Sequence, residues 1–180
     1  MSTARPDPAR SDFETLMAAH RGIVVKVAAS YCRDAEDRAD LAQEISLQLW
    51  RAWPGYDPAR RFSTWLYRIA LNVAISHLRR ERGRPAPDAL GEAHEHLVGA
   101  RDVDAEQREQ LALVQAAMQS LGALDKALLL LHLEGCSHRD SGEILGIREG
   151  NVATRLGRIR QQLRRTAAAA HINGDDHGTD

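Results

Sequence analysis

One stretch of the sequence limits more than any other what this chain can fold into. It runs from Arg60 to Arg82 and reads R-R-F-S-T-W-L-Y-R-I-A-L-N-V-A-I-S-H-L-R-R-E-R. At about 100° per residue this pattern predicts a helix with two apolar arcs, so we expect neighbouring elements to pack on two sides of it. One arc contains Phe62, Trp65, Leu66, Ile69 and Val73, and the other contains Leu71, Ile75 and Leu78.

A polar strip lies between the two arcs. Guanidinium and amide groups in a row along a helix suit the phosphates and bases of a nucleic acid. Arginines whose aliphatic stems cover a core helix produce the same pattern, so the strip alone favours neither interpretation. Its members are Arg61, Arg68, Asn72 and Arg79.

The order of residues in this stretch distinguishes the two interpretations. F-x-x-W-L-x-x-I-A-x-N, followed by L-x-x-x-R-R, resembles the promoter-melting segment of extracytoplasmic-function (ECF) sigma factors, which direct bacterial RNA polymerase. In that family this segment and the loop before it read the minus-ten promoter element and hold a flipped base. The resemblance implies that melted DNA is bound by Arg61, Trp65, Arg68, Asn72 and Arg79.

Composition predicts an all-α fold of two small helical domains joined by a flexible linker. Aromatic residues make up only 4% of the chain, and no alternating β-branched run is present. The net charge is −1, but arginines concentrate in residues 60–84 and 148–165, with acidic residues between these regions. We expect a disordered arm at 1–11, domains at 12–84 and 106–168, an acidic linker at 85–105 and a tail at 169–180.

The first domain should contain two further helices before the organising stretch. Asp12 is a plausible N-cap for a helix ending near Tyr31, and Asp34 for a helix that ends before Pro54 and Gly55. The second of these helices has Leu41, Ile45, Leu49 and Ala52 on its core face.

The opposite face of that second helix predicts a partner-binding site. A leucine and a tryptophan surrounded by polar groups are more typical of a partner's anchor than of a solvated face. D-L-A-Q-E-I-S-L-Q-L-W also resembles the sigma-factor helix that docks on the beta-prime clamp of core RNA polymerase. The candidate polymerase-binding residues are Asp40, Gln43, Glu44, Leu47 and Trp50.

The second domain should contain a helix-turn-helix. Leu111, Val114, Met118 and Leu121 predict one amphipathic helix, and residues 124–133 a second. Ser137 can then cap a short helix, Gly146 provides a turn, and a longer helix begins near Glu149. Gly142 inside the short helix replaces an alanine usual in the sigma family, at an expected cost of about 1 kcal/mol.

The last helix separates into a buried stripe and a polar side. Val152, Leu156, Ile159 and Leu163 form the stripe. Arginine can pair with guanine or phosphate, and amide side chains suit adenine, so the polar side predicts a DNA-reading surface. A merely solvated basic helix is the alternative. The polar side contains Asn151, Thr154, Arg155, Arg158, Gln162 and Arg165, of which the first four are the candidate DNA-binding residues.

No pattern favours catalysis or a bound cofactor. His132, Cys136 and His138 have a spacing that could present zinc ligands, but three candidates without a second pair are a weak signal. No glycine-rich phosphate loop or nucleophilic triad is evident. We therefore expect no enzyme activity, no cofactor and no metal, and Cys32 and Cys136 as reduced thiols.

The sequence is identified as an ECF sigma factor. The resemblance implies three partners: promoter DNA, core RNA polymerase and an anti-sigma factor. Core polymerase would be contacted at beta-prime by the first domain and at the beta subunit by the second. No apolar stretch approaches 18 residues, so we expect a cytoplasmic protein without membrane insertion. Two alternatives remain open: a helix-turn-helix regulator with an N-terminal sensor domain, and a helical adaptor that binds only protein.

Overall fold

The chain divides into two units, residues 1–83 and residues 84–180. The computed structural model describes residues 8–82, 118 and 120–174, and side chains within 12–81, 118 and 120–166. Within these residues all regular elements are helices, which confirms the predicted all-α fold. No helix in the described part combines the length and apolarity needed to cross a bilayer.

The first unit consists of three helices that all pack against one another. They are α1 (Pro8–Tyr31), α2 (Ala35–Ala52) and α3 (Phe62–Arg82), and a short 3-10 turn follows α2 at Trp53–Gly55. Asp12 was the expected N-cap of α1, but the helix begins earlier, at Pro8, inside the predicted arm. Proline is well tolerated there, because the first turn of a helix does not use its N–H groups.

The start and core face of α2 follow the sequence pattern. Asp34 is the N-cap, and its Oδ1 accepts a hydrogen bond from the Glu36 N–H at 2.7 Å. Leu41, Ile45 and Leu49 are fully buried. This helix therefore presents its opposite face away from the three-helix core.

The buried side of α3 differs from the two separate arcs expected. Leu66, Ala70 and Ala74 are fully buried and lie on one continuous face with Leu71 and Tyr67. The small alanines connect the two apolar arcs, because their short side chains let α1 and α2 pack closely against the middle of α3. The expectation that two neighbours pack on α3 is confirmed, since α1 and α2 both contact it. Apolar periodicity missed only the continuity of the buried face, because it gave these alanines no weight.

The second unit contains α4 (Ala123–Leu133), α5 (His138–Leu145) and α6 (Glu149–Gly174). The predicted helix around Leu111 and Val114 falls mostly outside the described residues, although Met118 is helical. Leucine and branched side chains from α4, from α6 and from the residues just before α4 form the core, with Leu145 and Ile147 packed against it. The buried members are Leu121, Leu128, Val152, Leu156 and Ile159.

Helices α5 and α6, with the tight turn between them, form a helix-turn-helix. Ser137 is the N-cap of α5, and its Oγ accepts from the Asp140 N–H at 3.0 Å. Gly146 ends α5 with a φ of 67°, a left-handed conformation that suits glycine, and its N–H donates to the Gly142 carbonyl. The predicted cap, turn residue and helix start are confirmed.

The presence of glycine at position 142, inside α5, has a structural reason that the sequence did not reveal. A Cβ at this position would lie 2.7 Å from the carbonyl oxygen of Ile147. The Ile147 N–H also donates to the Gly142 carbonyl at 3.0 Å. Glycine therefore lets the backbone after the turn approach α5, and this close approach offsets the helix-propensity cost assigned to it.

Candidate protein- and nucleic-acid-binding surfaces

The outer face of α2 carries two large apolar side chains in a polar setting. Leu47 is 46% exposed and Trp50 is 44% exposed, and both lie opposite the buried Leu41 stripe. Asp40 and Gln43 are exposed on the same face. The Trp50 ring contacts Phe13 of α1 edge-to-face, with 5.1 Å between ring centroids. An apolar pair fixed on one side and bordered by polar groups is typical of a protein-binding anchor.

Glu44 lies at the edge of this face and points towards α3. Its two carboxylate oxygens accept hydrogen bonds from Arg80 Nη2 at 2.8 and 3.0 Å. His77 Nδ1 lies 4.0 Å from the same carboxylate. The sequence placed Glu44 with the partner-binding residues, whereas its helical position brings it against α3, where it joins the two helices.

The polar strip of α3 is exposed along its length. Arg61 precedes the helix, and Arg68, Asn72 and Arg79 follow on one side of it. The structure thus leaves three guanidinium groups and one amide available to a ligand. Clustered positive groups on one helix face attract a phosphate backbone.

Trp65 belongs to an aromatic cluster and is half-buried. Its ring lies 5.1 Å from Tyr56, 5.4 Å from Phe62 and 6.2 Å from Trp53, measured between centroids. Sequence reasoning placed it in the apolar arc and also assigned it to DNA. The structure places it beside the loop that precedes α3.

Tyr56 and Trp53 shape that loop, and sequence reasoning did not select them. Their rings stack with centroids 5.1 Å apart and an interplanar angle of 18°. The Tyr56 hydroxyl donates to the Arg60 carbonyl at 2.9 Å, and Asp57 Oδ1 accepts from the Ala59 N–H at 2.9 Å. The signal available in the sequence was the concentration of aromatic residues between positions 50 and 65.

An open cavity of about 630 Å³ lies between the loop and the start of α1. Its walls combine flat aromatic rings and prolines with one carboxylate, from Asp12, and the hydroxyls of Thr15 and Tyr56. This combination suits a planar ligand with hydrogen-bond donors. The lining residues are Asp12, Thr15, Leu16, Trp53, Pro54, Tyr56 and Pro58.

The α6 helix presents part of its predicted polar side to solvent. Asn151, Thr154 and Arg158 are exposed, and Thr154 Oγ1 donates to its own helix at the Gly150 carbonyl. Arg155 is turned towards α4, where its Nη1 donates to Asp125 Oδ1 at 2.8 Å.

Gln162 also lies on this flank, with Nε2 3.3 Å from Ser120 Oγ. Both side chains were expected on the outer face. Their helical positions are closer to the buried stripe than that of Arg158. Arg155 therefore meets the first turn of α4, and Gln162 meets Ser120 just before it.

Comparison with known proteins settles the family. The Sigma-70 region 2 model matches residues 16–84, and the Sigma-70, region 4 model matches residues 111–163. The ECF RNA polymerase sigma-E factor of Haemophilus influenzae is 32% identical over 161 residues, which cover 84% of this chain and 85% of that protein. The chain belongs to the ECF sigma-factor family.

Other relatives agree with this assignment. The ECF RNA polymerase sigma factor SigE of Mycolicibacterium smegmatis is 34% identical over 87% of this chain, which spans 62% of that protein. The structure of the sigma factor RpoE from Bartonella quintana, in complex with the anti-sigma factor NepR, shares the fold. Its TM-score is 0.66 at 20% identity, over 87% of this chain and 97% of RpoE.

Membership defines what this sigma factor does. It works with core RNA polymerase and promoter DNA, and it directs the polymerase to promoters at transcription initiation. Sigma factors act by binding and are not enzymes. The alternatives of a regulator with a sensor domain and of a protein-only adaptor are excluded, because a sigma-family model matches each unit.

The structure shows the surroundings of both cysteines of the sigma factor. Both cysteines are free thiols, and buried Cys32 lies with Sγ 3.7 Å from His77 Nε2. Burial, reinforced by Asp140 and Glu134, raises the pKa of the Cys136 thiol above its ordinary value.

His132 Nε2 lies 3.3 Å from Arg160 Nη2. Among the residues whose side chains are described, no three His, Cys, Asp or Glu groups are placed to hold a metal ion.

Proposed function

We propose that the first unit docks on the beta-prime clamp of core polymerase through the outer face of α2. The observation that carries this assignment is the exposed Leu47 and Trp50 pair on the side opposite the buried stripe. Asp40 and Gln43 would surround the anchor with polar contacts, and Glu44 would contribute from the edge of the face. The sequence of this helix, which resembles the family's docking helix, supports the same partner.

The strip along α3 would bind the melted minus-ten region. Arg61, Arg68, Asn72 and Arg79 are exposed and offer contacts to phosphates and base edges. Trp65 would contribute through the aromatic cluster beside the loop. Because unstacked bases bind well to aromatic rings, the cavity lined by Trp53 and Tyr56 is a suitable place for a flipped base.

The second unit would read the minus-thirty-five element with α6 in the major groove. Arg158, Asn151 and Thr154 are exposed on the helix that follows the turn, and Arg155 lies on its flank. The same unit would contact the beta subunit. The proposed domains are residues 12–84 and 106–168, joined by the acidic residues 85–105. Helix α1 begins before the first limit, at Pro8, and α6 continues past the second limit to Gly174.

An anti-sigma factor would complete the set of partners. The proposal is supported by the likeness to a sigma factor solved with its anti-sigma factor. Because core polymerase is the site of action, the location would be the cytoplasm. An anti-sigma factor bound to the α2 face would prevent polymerase docking, which makes this face a suitable target for such an inhibitor.

The experiment is transcription by a reconstituted complex. Purified chain is added to bacterial core polymerase with a pool of promoter fragments, and initiated transcripts are sequenced. We expect transcripts from a defined subset of fragments that share minus-ten and minus-thirty-five elements. Core polymerase alone is the control, and equal transcript profiles with and without the chain would contradict the proposal.

A further inference from the structure

Arg155 of the DNA-facing helix is held by a carboxylate from another helix. Its Nη1 donates to Oδ1 of Asp125, in the first turn of α4, at 2.8 Å. The arginine side chain is 41% exposed and the aspartate side chain 29%, so the pair lies partly in solvent. Ion pairs of this kind contribute little to folding stability. What the structure shows Asp125 doing is holding the Arg155 guanidinium beside the first turn of α4.

A single hydrogen bond to Asp125 leaves most of the guanidinium available. The group carries five N–H donors in a planar fork, and a guanine edge uses two of them through O6 and N7. The carboxylate and a guanine can therefore bind the same guanidinium at once. An arginine already held in place also loses less side-chain entropy when it meets a base.

We propose that Asp125 is a positioning residue for promoter reading. It fixes Arg155 so that the guanidinium N–H groups not bound by Asp125 meet a guanine of the upstream promoter element. Asp125 acts through Arg155 and does not itself contact DNA. The inference rests on the proposed reading of that element by α6.

A simple electrostatic effect of Asp125 would have a different signature. A negative charge near DNA repels phosphates and lowers affinity for every sequence alike. Positioning instead changes preference at one base and requires Arg155. Experiment can separate the two effects. Positioning depends on base identity and on Arg155, whereas electrostatic repulsion depends on neither.

The test compares base preferences of the complete holoenzyme. Wild-type chain and variants are combined with bacterial core polymerase and incubated with promoter fragments whose upstream element is randomised, and bound fragments are sequenced. We expect Arg155→Ala to lose a guanine preference at one position.

Asp125→Ala should weaken the same preference by about fivefold or more. The double variant should match Arg155→Ala alone, since the two residues act as one unit. In an Arg158→Ala background, the matched control on the same helix, Asp125→Ala should keep its full effect.

Two results would overturn the inference and leave the sigma function intact. In the first, Asp125→Ala keeps the guanine preference and increases binding of all fragments equally. In the second, Arg155→Ala changes no base preference although the wild type selects an element.

A wild-type holoenzyme that selects no sequence would overturn both proposals. Asp125→Asn keeps the shape and a neutral acceptor, so it should show a smaller loss and provides the comparison if Asp125→Ala does not fold.

Discussion

Leu47 and Trp50 are almost equally exposed, but they are unequal probes of the same surface. The Trp50 ring packs on Phe13, so its removal would also disturb the contact between α1 and α2. Leu47 projects from the middle of the face, 46% exposed. Truncation of Leu47 therefore tests partner binding with the smaller structural side effect.

We predict that Leu47→Ala weakens the complex with core polymerase by about tenfold, or about 1.4 kcal/mol. The physical reason is the loss of an apolar anchor that is solvated only in the free protein. Titration of labelled sigma factor with core polymerase measures the dissociation constant. Val25→Ala is the matched control, because Val25 is an apolar side chain that is 53% exposed and belongs to α1, not to α2.

Thermal unfolding of both variants should stay near that of the wild type, since neither side chain is buried. Equal losses of polymerase affinity in the two variants would show that the effect is not specific to the α2 face. Unchanged affinity of Leu47→Ala would remove Leu47 from the docking surface.

Tyr31 gives a pH-dependent prediction. Burial raises the pKa of its phenol above the ordinary value of 10.0. In the unfolded chain the phenol loses its proton near its ordinary pKa, whereas in the folded protein it stays protonated. The folded state then binds more protons, so the free energy of unfolding falls as pH rises above about 10, by up to about 1.4 kcal/mol per pH unit.

Urea unfolding of the wild type and of Tyr31→Phe between pH 8 and pH 11 measures this effect. Phenylalanine cannot ionise, so the variant should lose less stability over the same interval. Parallel decreases in the two proteins would assign the alkaline loss to other groups.

At the scale of the helix, the backbone after the turn lies so close to α5 that the usual preference for alanine over glycine is reversed at position 142. Alanine normally stabilises a helix interior relative to glycine by about 1 kcal/mol. At position 142 a Cβ would meet the Ile147 carbonyl at 2.7 Å, and backbone atoms cannot move aside as a flexible side chain can. The turn of the helix-turn-helix would have to open.

We therefore predict that Gly142→Ala lowers the free energy of unfolding by about 1–3 kcal/mol. Gly157→Ala is the control in α6, because a Cβ there meets nothing within 4 Å, and it should stabilise by about 0.5–1 kcal/mol. Chemical denaturation of both variants measures the difference. If both alanines stabilise the protein, the turn is more adaptable than its backbone contacts indicate.

At the scale of the whole molecule, acidic residues separate two arginine-rich regions along the sequence, residues 60–84 and 148–165. We predict that the free chain binds promoter duplex weakly and that core polymerase increases this affinity. The acidic segment can compete with phosphates for the arginines as long as it stays near them, and docking on polymerase would separate the two. Duplex binding at one fixed salt concentration, by the free chain and by the holoenzyme, measures the difference.

A variant with neutral residues in this segment is the control: Glu92→Gln, Glu95→Gln, Asp102→Asn and Asp104→Asn. We expect it to raise the affinity of the free chain and to change the holoenzyme little. A free wild-type chain that binds as tightly and selectively as the holoenzyme would show that polymerase does not control DNA binding.

The sequence by itself determined the features that depend on neighbours along the chain. The caps at Asp34 and Ser137, the turn at Gly146 and the buried stripe of α2 follow from side chains within one or two helical turns. The motif order also indicated the family, which the comparisons confirmed.

Only the tertiary structure decided which polar groups on different helices meet. Glu44 pairs with Arg80, 36 residues away, and Arg155 with Asp125, 30 residues away. Gly142 accommodates a carbonyl beyond the turn, and Tyr56 stacks on Trp53 beside the end of α2. These contacts depend on how helices cross and loops close, and periodicity along one helix contains no information about either.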